Sequence, residues 1–259
     1  MTRPLPLLFP LLAALGCARS HPTVATAVSP VALTATAGAV DSLWHRAEAE
    51  FRAGHWDKAA TDFERLGLEF TPGDTRRSRA TFYLAESYLA QKNHLQATRT
   101  FRKVSDETPN DPLAAEALLR AGDAFAELWR RPELDPTYGQ TALATYQELL
   151  NRYPDDRAAP RAKVRIDQLQ ERFAFKTYRA ALFYFRLKAY DSAILYLKNL
   201  AATYPKASVT PAALVKLVDA YRILAYKEDL AETCGYLRKY HPDAPRINEV
   251  CPQAPERPS

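Results

Sequence analysis

The chain has 259 residues, of which 47% are hydrophobic, 25% are charged and 11% are aromatic, and it contains only 8 glycines. This composition excludes disordered and collagen-like proteins, and so few glycines disfavour folds built on glycine-dependent turns or phosphate-binding loops. The net charge of +5 comes without a dominant block of lysine and arginine, so it does not indicate a nucleic-acid partner.

Residues 1–16 have the pattern of an export signal. Arg3 gives a basic start, and residues 5–15 are apolar but too few to cross a bilayer as a helix. The order ALGC at 14–17 is similar to a lipobox, although its usual first residue is leucine. We therefore expect a lipoprotein signal peptide over 1–16 and lipidation of Cys17. An ordinary secretory signal that happens to contain a cysteine is the alternative.

The segment 17–39 contains small residues and prolines without helical periodicity. We expect it to be a lipidated N-terminus and a flexible tether with a reach on the order of 25 Å, followed by a folded part that begins near Val40. Several acyl chains on one cysteine give stable membrane anchoring. Ala18 stands where many inner-membrane lipoproteins carry aspartate. This favours the periplasmic face of the outer membrane.

A repeated pair of helices dominates the sequence after the tether. The second helix of each pair carries a small or aliphatic residue, a bulky or sulfur-containing residue four positions later, and a closing proline. The first residue lets two helices approach, the second fills their interface, and proline prevents continuation. The predicted second helices are Asp57–Phe70, Leu95–Glu107, Thr141–Tyr153, Asp191–Tyr204 and Glu228–Tyr240.

The preceding helices carry apolar residues at helical spacing, and the paired units resemble lengthened tetratricopeptide repeats. The predicted fold class is therefore all-α, a TPR-like α-solenoid of about five helix pairs, which buries its core only by stacking. The predicted first helices include Val40–Ala53, Arg76–Gln91, Pro112–Trp129 and Pro211–Tyr226. The aromatic residues expected to pack in the core are Tyr88, Phe101, Tyr146, Tyr184 and Tyr221.

Two features interrupt the repeat. Residues 130–140, RRPELDPTYGQ, predict a loop inserted between the helices of unit three. Ala158–Lys188 predicts one long helix that rigidly joins unit three to unit four. We therefore divide the folded part into N-terminal units one to three over 40–157 and the joining helix with units four and five over 158–245. A disordered tail is expected over 246–259.

Polar and aromatic side chains of the first helices fall on the face that would line the groove of such a solenoid. Mixed charge with an aromatic residue suits an extended peptide held through its backbone and one apolar anchor. An ordinary solvated helix face is the alternative. The candidate groove residues are His45, Arg52, Arg79, Phe82, Glu86, Glu116 and Asp123.

No motif indicates catalysis, a metal site or a cofactor. The five histidines are scattered, and the sequence contains no HExxH, no cysteine pair at metal-ligand spacing, no G-x-S-x-G and no Walker-type loop. We therefore expect a protein that is not an enzyme. Once Cys17 is lipidated, Cys234 and Cys251 remain, and an oxidising periplasm permits a disulfide between them. A buried free thiol at Cys234 is the alternative.

The order of these parts is similar to that of the outer-membrane protein assembly factors of the BamD, or ComL, family. The stretches DPTYGQTALATYQELLNRYPDD and YRAALFYFRLKAYDSAILYLKNLAATYPKASVTPAALVKLVDAYRIL carry the resemblance most strongly. It covers nearly the whole chain, apart from the tether and the tail from Arg246. The resemblance implies a periplasmic lipoprotein scaffold that helps to insert β-barrel proteins into the outer membrane.

In that family, N-terminal repeats bind unfolded outer-membrane protein clients, and C-terminal repeats dock a BamA-type barrel protein alongside other assembly-complex lipoproteins. The resemblance implies docking at Tyr196 and Lys198, both expected to face outward from the Ala193–Leu197 seam. A TPR adaptor of Tol-Pal, division or peptidoglycan machinery is the alternative function. Such adaptors usually begin with a coiled coil, and residues 18–38 contain no heptads. An enzyme accessory or a cryptic hydrolase is a third alternative, and it would need a polar pocket that the sequence does not show.

Overall fold

A computed structural model of the chain describes residues 37–71 and 73–251. The predicted signal peptide, Cys17 and most of the tether lie outside these residues, which belong to one compact unit that begins at Ala35. The tether was predicted to extend to residue 39, but the first helix already begins at Ala37, so its last three residues are helical.

The described residues form helices and contain no β-strand, which confirms the all-α, TPR-like fold class. We call the odd-numbered members of α1–α10 first helices and the even-numbered members second helices. The described part of the chain contains α1 Ala37–Arg52, α2 Trp56–Glu69, α3 Arg77–Ala90, α4 His94–Glu107, α5 Ala114–Leu128, α6 Thr137–Arg152, α7 Ala158–Arg186, α8 Tyr190–Thr203, α9 Thr210–Leu224, α10 Lys227–Tyr240 and α11 Ile247–Val250.

The repeated signature of the second helices forms the core. Each helix of α1–α10 packs against its neighbours in the chain, as stacking of helix pairs requires. In repeats one to four, the small residue and the bulky residue four positions later are both buried. These buried residues are Ala59 with Phe63, Ala97 with Phe101, Ala142 with Tyr146, and Ala193 with Leu197.

Close helix approach is most evident in repeat three. A Cβ atom added to Gly122 would lie 2.3 Å from a ring carbon of Tyr146, so only glycine fits between α5 and this ring. Tyr88, Phe101, Tyr146 and Tyr221 are buried as predicted. Tyr184 is only half-buried, and its ring stacks on that of Tyr196 in α8.

Aspartate side chains begin several helices. The carboxylates of Asp74, Asp111, Asp135 and Asp156 each accept a hydrogen bond from the backbone N–H two residues later, at 2.8–2.9 Å. Such a turn leads the chain into a helix and satisfies a free backbone donor. Asp135 therefore starts α6 at Thr137, and the prediction of a loop over 130–140 is wrong for its last four residues.

Residues 129–136, between α5 and α6, are fixed against α7, and we call them the inserted segment. Trp129 is buried and stacks on Phe173 with ring centroids 4.6 Å apart. The Arg172 guanidinium lies 4.4 Å from the Trp129 ring centroid and donates a hydrogen bond to the Trp129 carbonyl. The Lys176 ammonium donates to the carbonyls of Glu133 and Leu134 at 3.2 and 2.9 Å. The inserted segment is thus an ordered brace between α5, α6 and α7.

The joining helix, α7, is continuous, as predicted. It ends at Arg186 rather than at Lys188, because the backbone of Lys188 is left-handed and cannot continue the helix. Pro160 lies at its third position, where a missing N–H leaves no intrahelical bond unmade. The buried cluster that α7 shares with α6 reaches as far as Phe173. The residues that follow, beginning with Tyr178, pack against the C-terminal core instead.

The C-terminal tail is ordered over its first part, so the prediction of disorder from residue 246 is wrong for 247–251. Ile247 and Val250 are buried and form the short helix α11. Cys251 is joined to Cys234 of α10 by a disulfide bond. The predicted disorder of residues 252–259 lies outside the described residues.

Candidate functional site

An open cleft of about 640 Å³ lies on the first helices of repeats two and three. It brings together four of the seven predicted groove residues, Arg79, Phe82, Glu86 and Glu116. The cleft is open to solvent on one side and closed by α3 and the start of α5. The complete lining consists of Thr75, Ser78, Arg79, Phe82, Tyr83, Glu86, Asp111, Pro112, Leu113 and Glu116.

Aromatic rings form the apolar wall of the cleft. The Phe82 ring meets the buried Phe101 ring edge to face, with centroids 5.4 Å apart. The Tyr83 ring is supported by Phe51 at 4.9 Å. Both rings are half-buried, and Leu113 continues the apolar surface. Packing thus supports both rings, and together with Leu113 they offer a surface on which an apolar side chain can pack.

A cation lies at the rim of this wall. The Arg79 guanidinium lies 5.3 Å from the Tyr83 ring centroid and 5.6 Å from that of Trp44. It donates hydrogen bonds to the Tyr83 hydroxyl and lies 3.3 Å from a carboxylate oxygen of Glu48. The hydrogen bond to Tyr83, supported by Glu48, raises the pKa of Arg79 above its ordinary value. Arg79 is thus a fixed positive charge that peptide carbonyl or carboxylate oxygens can reach.

The acidic groups of the cleft are already partnered. The Arg120 guanidinium of α5 donates two hydrogen bonds of 2.6 and 2.7 Å to the Glu86 carboxylate, and these bonds raise the pKa of Arg120. Arg161 of α7 lies 2.6 Å from Glu116. The Ser78 hydroxyl donates to the Asp111 carboxylate at 2.5 Å. Because each carboxylate has a donor, the cleft does not repel an anionic ligand as strongly as its composition suggests.

Asp123, another predicted groove residue, lies further along the same face rather than in the cleft. Its carboxylate accepts a hydrogen bond from the Tyr146 hydroxyl at 2.8 Å and another from Arg165 at 2.9 Å. Burial, followed by the nearby Asp123 charge, raises the pKa of the Tyr146 hydroxyl, so this hydroxyl remains a donor. Asp123 therefore links α5, α6 and α7.

These contacts form a series of ion pairs between successive first helices. An acid of one first helix meets an arginine of the next, from α1 through α7. Sequence reasoning selected most of the acids and missed three of the arginines, because the partners are 34–45 residues apart. The pairs are Glu48 with Arg79, Glu86 with Arg120, Glu116 with Arg161, and Asp123 with Arg165.

The two remaining groove candidates do not line the cleft. His45 is exposed on α1. Arg52 lies in the last turn of α1 and donates a hydrogen bond to the Glu48 carbonyl of its own helix at 3.2 Å. Both residues lie on the first repeat, beyond the end of the cleft, and their assignment to a peptide groove stays a prediction.

The predicted docking residues differ from each other in burial. Lys198 is exposed, as expected. Tyr196 is half-buried and stacks on Tyr184, with ring centroids 5.1 Å apart and ring planes 18° apart, so the expectation that it faces outward is wrong. The equivalent residues of other repeats, Thr100 and Thr145, are buried. Tyr196 has the same place in its own repeat.

Within 37–71 and 73–251, no three histidine, cysteine or acidic side chains are gathered as ligands of a metal ion would be. None of the helices in this part of the chain combines the length and apolar character that crossing a membrane requires.

Comparison with known proteins identifies the family. The sequence model of the YfiO family, described as "Outer membrane lipoprotein", matches residues 36–236. The chain belongs to the YfiO family. The resemblance to BamD is also confirmed. The chain is 24% identical to the outer membrane protein assembly factor BamD of Caulobacter vibrioides, over 83% of this chain and 68% of the relative. It is 23% identical to BamD of Xylella fastidiosa, over 83% of this chain and 77% of the relative.

Solved structures include repeat proteins of similar type. The complex of the TPR2AB domain of yeast Sti1 matches over 80% of this chain and 79% of its own, with 12% identity and a TM-score of 0.42. The YfiO family and the BamD relatives support a role as an outer-membrane assembly factor.

Proposed function

We propose that this chain is a lipid-anchored scaffold of the outer-membrane β-barrel assembly machinery, on the periplasmic face of the outer membrane. It holds a segment of an unfolded outer-membrane protein in the cleft of repeats two and three while its C-terminal repeats dock a BamA-type barrel protein. The observation that carries the proposal is an apolar cleft with a fixed cation, Arg79, on the first helices of a YfiO-family chain.

Client binding follows from the chemistry of the cleft. An apolar side chain of the client packs between Phe82, Tyr83 and Leu113, and burial of one such side chain contributes about 1.5–3 kcal/mol. Arg79 binds a carbonyl or carboxylate oxygen of the same segment. One anchor and one charge-assisted bond give weak binding, which allows the client to be released into the membrane.

Docking of the barrel protein uses exposed residues of α8. Lys198 supplies a charge, and Leu195 is an exposed apolar residue three positions before it. Tyr196 is half-buried beside these residues and stacks on Tyr184, which links this surface to α7. Other lipoproteins of the assembly complex bind elsewhere on the scaffold. The protein acts by binding alone, without catalysis, metal or cofactor.

Anchoring depends on Cys17. Replacing Cys17 by alanine should release the chain into the soluble periplasmic fraction or leave an uncleaved precursor, since the acyl chains are attached through this residue. Labelling of growing cells with radioactive palmitate measures the modification. Label that persists in Cys17→Ala would contradict the anchor, whereas a wild-type chain without label would favour the ordinary secretory signal.

The scaffold proposal is tested by co-purification and by peptide binding. An assembly-type barrel protein should co-purify with the wild-type chain from detergent-solubilised envelope. A fluorescent peptide from a strand of a client barrel should bind at least tenfold more weakly to the double variant Arg79→Glu, Phe82→Ala. Leu68→Ala, at an exposed position of α2, is the matched control. If the double variant binds the peptide normally but loses the barrel protein, the two surfaces are assigned in reverse.

A further inference from the structure

The first helices have a flank that is normally covered by the second helix of the preceding repeat. In repeats two, three and five, small residues on this flank are buried where successive helices pack. Alanine and serine allow a second helix to lie close beside the first. The buried flank residues are Ala80 and Ser87 on α3, Ala117, Ala121 and Ala124 on α5, and Ala213 and Ala220 on α9.

The same flank of repeat four is built differently. Its first helix is the second half of α7, and the element before it in the chain is the first half of the same helix. Two halves of one helix lie end to end, so the preceding element cannot lie beside this flank. The positions equivalent to Ala80 and Ser87 are Lys176 and Phe183. A large aromatic residue thus replaces a small one.

The inserted segment covers only one end of this flank. Lys176 is bonded to the carbonyls of Glu133 and Leu134, as described above. The buried cluster of α6 and α7 does not extend beyond Phe173. One helical turn after Lys176, Ala180 is only half-buried, and Phe183 is 50% exposed. The flank therefore stays uncovered from about Arg179 onward.

Three apolar side chains and one arginine follow one another along this side of α7 and its C-terminal end. Phe175, Arg179, Phe183 and Leu187 follow one another at intervals of four residues, which places them on one side of the helix over roughly 18 Å. Phe175 is 38% and Leu187 61% exposed. The Arg179 guanidinium lies 5.9 Å from the Phe175 ring centroid. We call these four residues the open flank.

The charge beside the open flank is mainly positive. Arg179 and Arg186 are exposed, and Lys176 lies near the N-terminal end of the open flank. The inserted segment contributes two acids, Glu133, 3.8 Å from Arg179, and Asp135, whose charge interacts with Lys176. A ligand with apolar groups along one edge and carboxylates beside them matches this arrangement in both respects.

We propose that the open flank binds an amphipathic, acidic α-helix of a partner protein. The partner helix takes the place that the second helix of the preceding repeat has in repeats two, three and five. Its apolar residues, spaced three and four apart, pack on Phe183, Leu187 and Phe175, and its carboxylates meet Arg179 and Arg186. This inference deepens the proposed function, on which it rests, by assigning a second partner surface next to α8.

Site-specific photo-crosslinking in the native host tests the site. Phe183 of the full chain is replaced by p-benzoylphenylalanine, and intact cells are irradiated. We expect an adduct whose partner segment, mapped by mass spectrometry, is amphipathic, helical in pattern and net acidic. The double variant Arg179→Glu, Arg186→Glu should reduce this adduct at least tenfold at equal abundance of the chain. The same probe at Leu68, which is 87% exposed, is the matched control and should not give the adduct.

Other results would overturn the inference. An adduct with a second copy of this chain, with lipid alone, or with a segment lacking acidic residues would show a different occupant. An absent adduct, or one insensitive to charge reversal, would show that no acidic helix binds. Co-purification of the barrel protein with the wild-type chain is measured in parallel. If it succeeds while crosslinking fails, the inference alone is wrong; if both fail, the proposed function is wrong as well.

Discussion

The N-terminal and C-terminal repeats both have apolar cores, but they supplement them with different contacts. From α1 to α7, acids and arginines of successive first helices form ion pairs. We call the surface that carries these pairs the inner face. From the second half of α7 onward, the links are mainly apolar, in one core cluster that extends to α11 and includes the Cys234–Cys251 disulfide. An inner face held by exchangeable polar contacts suits a transient ligand. A C-terminal part with a covalently fixed end suits a lasting partner.

The positions of the tryptophans allow this comparison to be measured. All three, Trp44, Trp56 and Trp129, precede α7. Tryptophan fluorescence therefore follows unfolding of the N-terminal repeats, while far-ultraviolet circular dichroism follows helices of both regions. A difference between these two signals therefore distinguishes the two regions.

The largest effect is expected from the core of the N-terminal repeats. Phe101 is buried between α3, α4 and α5, so Phe101→Ala should lower the free energy of unfolding by about 3–5 kcal/mol. Urea denaturation followed by tryptophan fluorescence measures the loss. Leu95→Ala, at an exposed position of the same helix, should change it by less than about 0.5 kcal/mol. Equal shifts in the two variants would contradict the assigned core.

The next effect concerns the C-terminal repeats. The disulfide closes a loop with a sequence separation of 17 residues, so its removal in Cys234→Ala, Cys251→Ala should destabilise the fold by about 3 kcal/mol. We expect the circular dichroism transition to shift to lower urea while the fluorescence transition shifts less. Reduced wild-type protein provides the second comparison. Coincident shifts of both signals would show that the two regions unfold as one unit.

Local pattern was enough to predict most of the fold. Ala97 and Phe101 lie within one helix, and Pro109 closely follows it. Their spacing therefore predicts where the helix lies, which face packs in the core and where the helix ends. The start of α6 was missed, although Asp135 followed by Thr137 is a recognisable helix-start signal. The order of the tail was missed because Ile247 and Val250 are buried only through contacts with elements distant in sequence.

The candidate site was less predictable, because it depends on how repeats stack. Helical register placed Arg79, Phe82 and Glu86 on one face, and the structure adds that they share a cleft. The pairing of Glu86 with Arg120 depends on the rotation between repeats, which no local pattern contains. The partial burial of Tyr196 follows from its register, because Thr100 and Thr145 at the same position of other repeats are buried. The continuity of α7 was predicted, but the exposure of Phe183 depends on how the neighbouring elements pack against this helix, which no local pattern contains.

A smaller effect is expected from one ion pair of the inner face. Glu86→Gln removes the charge that Arg120 binds, and Arg120 keeps Asp123 at 3.7 Å as a second partner. The variant should therefore lose only about 1–2 kcal/mol of unfolding free energy. The fluorescence transition in urea should show this shift, and it should diminish in 1 M salt because screening weakens the original pair. A loss as large as that of Phe101→Ala would mean that the ion pairs, rather than the apolar core, hold these repeats together.

The smallest effect is expected from the titration of one carboxyl in the N-terminal repeats, that of Asp74. The hydrogen bond from Arg76 holds the pKa of the Asp74 carboxyl below its ordinary value. A carboxyl whose pKa is lower in the folded state stabilises the fold above its unfolded pKa, and this contribution is lost as pH falls through the folded pKa. The fluorescence transition of the wild type should therefore move to lower urea in acid. Asp74→Asn retains an oxygen that can accept from the Arg76 N–H but has no carboxyl to titrate, so part of this movement should disappear. Identical acid sensitivity in the variant and the wild type would exclude Asp74 as a source of the pH dependence.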